Sequence, residues 1–295
     1  MSSARLMEPA SPSIADWPEP TGVLFISYLR GAHRAVLREA LASATHLRRT
    51  LRPRLPLDLL ANKAAHDTLE KMSTRRAGLP WDSRRYLTLD VRLKGMSRTF
   101  PADDVRNAYL HKLSGLLSTR FNRTLYLDCD VMVVSPNFAS DLLSRALHVA
   151  DVAMPLDPGR AAHLVPGERE GEGPAAPWVA PTIGPPMLCS AVLAYRQNAA
   201  TDELFLGAAR RLLARRHPGV RQGDQEMIWF QWVSGEGAHA AALRVIALPE
   251  ETYCPLERRQ KPLLPNWQQS TWRTSWRRGV YPCAAVHGHA YAGLV

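Results

Sequence analysis

Residues 123–134 read Arg-Thr-Leu-Tyr-Leu-Asp-Cys-Asp-Val-Met-Val-Val. Two carboxylates, one residue apart, interrupt a run that is otherwise apolar. The length of the flanks and their β-branched and aromatic content mark a buried strand of an α/β sheet. An unpaired ionised carboxylate is costly to bury, so Asp128 and Asp130 require a compensating cation or a proton. The economical place for them is the carboxyl end of the strand, where open α/β sheets bind ligands. Two oxygen-bearing side chains there suit a hard divalent ion. Residues i and i+2 of an extended strand share a face, so both carboxylates are expected to reach one ion. The plainer reading is a pair of turn carboxylates making caps or salt bridges, because Asp-x-Asp is a short pattern.

Working outward, Val23 to Tyr28 reads as a first strand. Ala35, Leu37, Leu41, Ala44 and Leu47 form the apolar stripe of a helix over residues 32–49. Pro53 and Pro56 break it before a second strand, Leu57 to Leu60. Strand, helix, strand in that order calls for a parallel sheet with a right-handed crossover. A helix is expected within residues 64–76, a weakly alternating strand over Tyr86 to Leu93, and a helix over residues 104–120 with Val105, Ala108, Leu113, Leu116 and Leu117 inward. Phe138 to Leu147 reads as helical. Residues 155–186 are rich in Gly and Pro and are expected to form a loop over the site. A strand over Cys189 to Tyr195 and an amphipathic helix over residues 202–216 follow, and then a helix opened by Gly223-Asp224-Gln225. Leu243 to Leu248 is a strand, and Ala284-Ala285-Val286 delivers His287-Gly288-His289 near the carboxyl end. Residues 1–20 are expected to be a flexible leader and residues 21–295 a single domain.

The chain of 295 residues is 46% hydrophobic and 22% charged, ordinary values for a globular protein. A net charge of +10 favours anionic partners. The basic residues come as scattered pairs, among them Arg48-Arg49, Arg84-Arg85 and Arg210-Arg211, with no run or basic-aromatic alternation; this argues against a nucleic-acid partner and reads as solvated helix faces. Cys129, Cys189, Cys254 and Cys283 show no metal spacing, so reduced thiols and a cytoplasmic location are the default. The first twenty residues lack the apolar core of a signal peptide, and no stretch approaches a membrane span. A Golgi-type lumen is the alternative if the chain is a fragment of an anchored protein.

His287 or His289 would complete a mixed oxygen and nitrogen site for Mn²⁺, or Mg²⁺, with His287 preferred because it directly follows the apolar stretch. Asp224 reads most simply as a helix N-cap. Lys112 reads most simply as an exposed helix lysine, with phosphate contact as the other option.

Leu125-Tyr126-Leu127-Asp128-Cys129-Asp130 resembles the metal-binding strand of GT-A fold glycosyltransferases, with family 8 and related nucleotide-diphospho-sugar transferases the most similar. The strand over Val23 to Tyr28, Lys112 before Asp128, Gly223-Asp224-Gln225, Leu248-Pro249 with Tyr253, and Val286-His287 fall in that family's order. The resemblance implies a GT-A-like Rossmann-type mixed, mostly parallel sheet flanked by helices. It implies transfer of a sugar from a nucleotide diphosphate donor, a UDP-sugar, to an unidentified glycan, protein or small-molecule acceptor, with anomeric retention. It implies metal ligands Asp128, Asp130 and His287, donor contacts at Ser27, Tyr28, Lys112, Asp128 and Asp224, and a catalytic role for Gln225 and Asp224. Arg160 in the covering loop would approach the diphosphate. The chain departs from the family at Cys189-Ser190-Ala191, where relatives carry Asn and a small residue, and in lacking a clean Gly and Lys after the His. Two other readings stand beside this one. In a haloacid dehalogenase-like phosphatase Asp128 would be the nucleophile and Asp130 the acid/base, although Met132 stands where such enzymes carry Thr or Val. A catalytically degenerate nucleotide-binding relative is the other.

Overall fold

The computed structural model describes residues 19–29, 35–51, 54–73, 78–94, 104–133, 135–155, 188–214, 223–248, 254–255, 274–276, 279–281 and 285–287. A seven-stranded sheet carries most of them, in the order β3-β2-β1-β4-β7-β6-β8. Its strands are β1 (Thr21–Ser27), β2 (Leu57–Ala61), β3 (Ser83–Tyr86), β4 (Arg123–Leu127), β6 (Val152–Pro155), β7 (Val192–Arg196) and β8 (Val245–Leu248). All neighbours run parallel except β7, which is antiparallel to both β4 and β6. The mixed, mostly parallel α/β sheet expected from the sequence is therefore observed. The helices are α1 (Ala35–Thr50), α2 (Lys63–Ser73), α3 (Val91–Lys94), α4 (Val105–Leu117), α7 (Ala199–Ala214) and α8 (Asp224–Ser234). Just before β6, two short helices, α5 (Phe138–Ser140) and α6 (Leu147–Val149), flank a π-helical turn over Asp141–Ala146.

The two faces of the sheet explain the continuous apolar runs. In β1, Val23 and Phe25 pack with Leu37, Leu41 and Leu47 of α1, while Leu24 and Ile26 pack with Leu110, Leu113 and Leu116 of α4. A strand buried on both sides has no solvent face to mark with polar residues. Of the apolar positions expected on α4, Val105 instead faces solvent at the first turn. Asp104 caps that helix, accepting from the Arg106 N–H at 2.8 Å.

Three expectations are corrected here. The strand placed over Tyr86 to Leu93 lies earlier, at β3, whose Ser-Arg-Arg-Tyr sequence has no apolar alternation. It is an edge strand, and Arg85 is drawn in by the fully buried Asp58 of β2, whose Oδ2 accepts from Arg85 Nε at 2.9 Å. Asp90 then accepts from the Arg92 N–H at 2.8 Å and opens α3. The expectation that paired arginines lie on solvated faces also fails at Arg48, whose guanidinium donates to the Pro80 and Leu55 carbonyls at 2.7 and 2.8 Å.

The third correction concerns the opening stretch, which is not one strand. β4 stops at Leu127, and the Val131 N–H donates to the Asp128 carbonyl at 3.0 Å, closing a turn over Asp128-Cys129-Asp130. β5 (Val131–Val133) then leaves the large sheet and joins β9 (Cys254–Pro255) and β12 (Ala285–His287) in a small one. A two-stranded ribbon of β10 (Thr274–Trp276) and β11 (Gly279–Tyr281) completes the strands. Among the described residues no helix is long and apolar enough to cross a membrane. The covering loop, Arg160, Tyr253, Cys283 and His289 lie outside the described residues.

Candidate donor and metal site

The turn after β4 sits at the carboxyl ends of the parallel strands, as the sequence argument required. The carboxylates are presented by this turn, so the shared-face argument for an extended strand does not apply to them. The Asp128 N–H donates to the Ala191 carbonyl at 2.8 Å, fixing the turn against the segment entering β7. Cys129 points inward; its thiol donates to the Ile26 carbonyl at 3.4 Å. Burial first, and then the charges of Asp128 and Asp130, push that thiol far above its usual range, so it is an inert packing group. On the far side of the turn, Ser43 of α1 donates to the Val131 carbonyl, and an imidazole nitrogen of His46 lies 2.8 Å from the Val133 carbonyl.

Lys112 is the hub. The simpler reading makes it an exposed helix lysine, but its side chain on the inner side of α4 is only 12% exposed. Its ammonium lies 2.9 Å from Asp128 Oδ1 and 2.7 Å from Asp224 Oδ2, and 3.2 Å from both the carbonyl and the hydroxyl of Ser190. It also sits 4.9 Å from the centroid of the Tyr126 ring. Burial disfavours the charged ammonium, but Asp128 and Asp224 outweigh it and hold Lys112 above the usual lysine range. The Tyr126 hydroxyl donates to Asp128 Oδ1; burial and the Asp128 charge raise its pKa well above the ordinary value.

Asp224 is likewise not the N-cap that the sequence pattern favoured. Gly223 occupies that position, its N–H donating to Glu226 Oε2 at 3.1 Å, and a Cβ there would come 2.4 Å from that oxygen. Asp224 is thereby the first helical residue, and its side chain turns to Lys112 and to the Ser190 hydroxyl, which donates at 2.6 Å. Burial would raise its pKa, but the Lys112 charge and the bonds from Lys112 and Ser190 lower it, so Asp224 is held as the carboxylate. The Ser190 N–H donates to Gln225 Oε1 at 3.3 Å. One residue before β7 thus orients both Asp224 and Gln225.

Asp128, Asp224, Gln225 and Lys112 are therefore brought together, and Asp130 stands beside them in the same turn. The antiparallel register pairs His287 with Val131, the residue after Asp130, so the terminal strand delivers position 287 to the turn. Ser27 ends β1 fully buried, its hydroxyl without a partner among the described residues. The Tyr28 ring stacks on His111 of α4 at 4.3 Å. Among the described residues neither Ser27 nor Tyr28 bonds to the Lys112 network.

Two members of the site were missed in the sequence. Ser190 stood out only as a departure from the resembling family. Tyr126 was read as apolar filling, although its place two residues before Asp128 puts its ring on one side of β4 with its hydroxyl toward the turn.

Among the described residues no three His, Cys, Asp or Glu side chains form a ready-made ion site. The donor chemistry nevertheless suits a divalent cation. Both described bonds to Asp128 end on Oδ1, leaving Oδ2 to an ion, and Asp130 adds a second hard oxygen.

No protein-family model and no curated protein matches the sequence. Solved structures do resemble the fold. Mouse xyloside xylosyltransferase 1, in its apo form, superposes with a TM-score of 0.55 at 13% identity, covering 91% of this chain and 97% of that one. The galactosyltransferase LgtC in complex with donor and acceptor sugar analogues gives a TM-score of 0.50 at 12% identity, over 90% of this chain and 86% of that one. An active-site mutant of LgtC gives 0.51 at the same identity and coverage. The chain has the GT-A fold of these glycosyltransferases.

Proposed function

We propose that this chain transfers a sugar from a nucleotide diphosphate donor, a UDP-sugar, to an acceptor, with a divalent ion at Asp128, Asp130 and His287. The observation that carries the reading is a lysine shared between two acidic side chains at the carboxyl end of β4. Among the described residues, Asp128 and Asp224 both pair with the Lys112 ammonium, and Asp130 lies in the same turn as Asp128. A bound Mn²⁺ or Mg²⁺ would supply neutralisation of the departing diphosphate without moving a proton.

Asp224, held ionised and aimed by Lys112 and Ser190, is placed to accept hydrogen bonds from the sugar hydroxyls. Gln225, whose amide oxygen accepts from the Ser190 N–H, is the side chain assigned to the anomeric carbon of the donor sugar. Ser27 and Tyr28 at the end of β1 line the nucleotide side. The buried Ser27 hydroxyl, lacking a described partner, is suited to a ligand atom. Retention of anomeric configuration follows the resemblance to family 8. The fold of the solved glycosyltransferases disfavours the phosphatase reading.

The test is a panel of nucleotide sugars incubated with and without Mn²⁺ and read by release of the nucleoside diphosphate. Turnover is expected with one donor and only with the ion, and Asp130→Asn should lower it at least a hundredfold, about 2.7 kcal/mol or more. Full turnover in that variant would remove Asp130 from the metal site. Binding of UDP with Mn²⁺ in calorimetry, without transfer or hydrolysis of any donor, would favour a nucleotide-binding relative without catalysis.

A further inference from the structure

The ion and the sugar are assigned to different carboxylates, yet one side chain touches both. We infer that Lys112 is a positioning residue that deliberately weakens the cation site while ordering the sugar site, so that ion and sugar occupancy are coupled through it. The inference rests on the metal-dependent reading above and adds to it the role of this residue. Its ground is geometry. The ammonium lies 2.9 Å from the carboxylate oxygen of Asp128 and 2.7 Å from that of Asp224, and the Ser190 carbonyl and hydroxyl complete its shell. Its stem comes from α4, with the Tyr126 ring beside it. A positive charge this close to Asp128 repels any cation arriving there. The same charge keeps Asp224 ionised and pointed inward when the ion is absent. An ion settling on Asp128 competes for that carboxylate and leaves more of the ammonium to Asp224. By linkage, ordering at either carboxylate then favours ligand binding at the other.

A merely structural lysine makes the opposite prediction, because its loss loosens the site and weakens every ligand. The experiment uses the full chain stripped of metal and titrated calorimetrically with Mn²⁺ alone. K112M, and K112Q as a polar variant that still donates to Asp224, are compared with the wild type after circular dichroism confirms folding. Both neutral variants are expected to bind Mn²⁺ about tenfold more tightly than the wild type, while K112R stays near it. At saturating Mn²⁺ the affinity ratio between the active nucleotide sugar and its bare nucleoside diphosphate should fall toward one in K112M. If the folded neutral variants bind Mn²⁺ equally or more weakly, the role given to Lys112 is overturned and the metal reading survives. Should the wild type bind no Mn²⁺, the metal reading itself is overturned, and the inference falls with it.

Discussion

Acids at two places in this fold are neutralised in opposite ways. Asp58, fully buried in β2, faces two guanidiniums: its Oδ2 accepts from Arg85 and lies 3.8 Å from Arg120 Nε. Asp128 and Asp224, at the far end of β4 and the start of α8, face one ammonium between them. Among the described residues, one carboxylate meets two cations at the first site and two carboxylates meet one cation at the second. Arginine, planar and always charged, fixes one geometry, and Arg85 also donates to the Ser118 carbonyl at 3.1 Å, tying β3 to the end of α4. Lysine is a point charge that two acids can share, and it leaves negative potential over. The difference separates a carboxylate that staples strands from carboxylates that share a lysine at the sheet's carboxyl edge.

The contrast breaks most severely if Asp128 proves structural. Asp128→Asn is expected to cut sugar transfer by two to three orders of magnitude, roughly 3–4 kcal/mol, while urea unfolding shifts by less than about 1 kcal/mol. A large loss of stability would put Asp128 in the same class as Asp58. Arg85→Ala should do the reverse. Leaving Asp58 with only the more distant Arg120 should cost about 3 kcal/mol of stability, with turnover per folded molecule unchanged. Gly115→Ala probes how firmly α4 seats Lys112. A Cβ there would stand 2.6 Å from Ile26 Cδ1 in β1. Overpacking of 1–3 kcal/mol, offset by about 1 kcal/mol of helix propensity, should leave a net loss near 1 kcal/mol in urea unfolding. Transfer should fall further than that stability loss implies, because Lys112 shifts with the helix. The smallest effect concerns His46, which braces β5. Burial first, and then Arg49, lower its pKa, against the opposing pull of the Val133 carbonyl. The unfolded chain therefore binds more protons, and stability is lost as pH falls from about 6.5 through the lower folded value. His46→Gln should flatten that part of the pH–stability curve.

Much of this was legible in the sequence because the fold's rules are local. The β1–α1–β2 unit announced itself through apolar period and proline breaks. Asp128 and Asp130 stood out because they violate the pattern of a buried strand, and the structure puts them in a turn at the end of β4. The remainder depended on partners far away in the chain. Asp224 at a helix start looks the same whether it caps the helix or meets Lys112 more than a hundred residues earlier. Arg85 looks like a solvated charge until β2 brings Asp58 beside it. The turn at Asp128 was hidden because β5 is as apolar as β4, and only its pairing with β12 separates the two strands.

That pairing also dates the site. Val131 emerges from the ribosome well before His287, its partner across the register, so the turn must remain unfinished while the intervening helices are made. Contacts so remote in sequence are entropically slow to close. During refolding the large sheet should gather first, and the pairing of β5 with β12 should arrive as a separate, later phase.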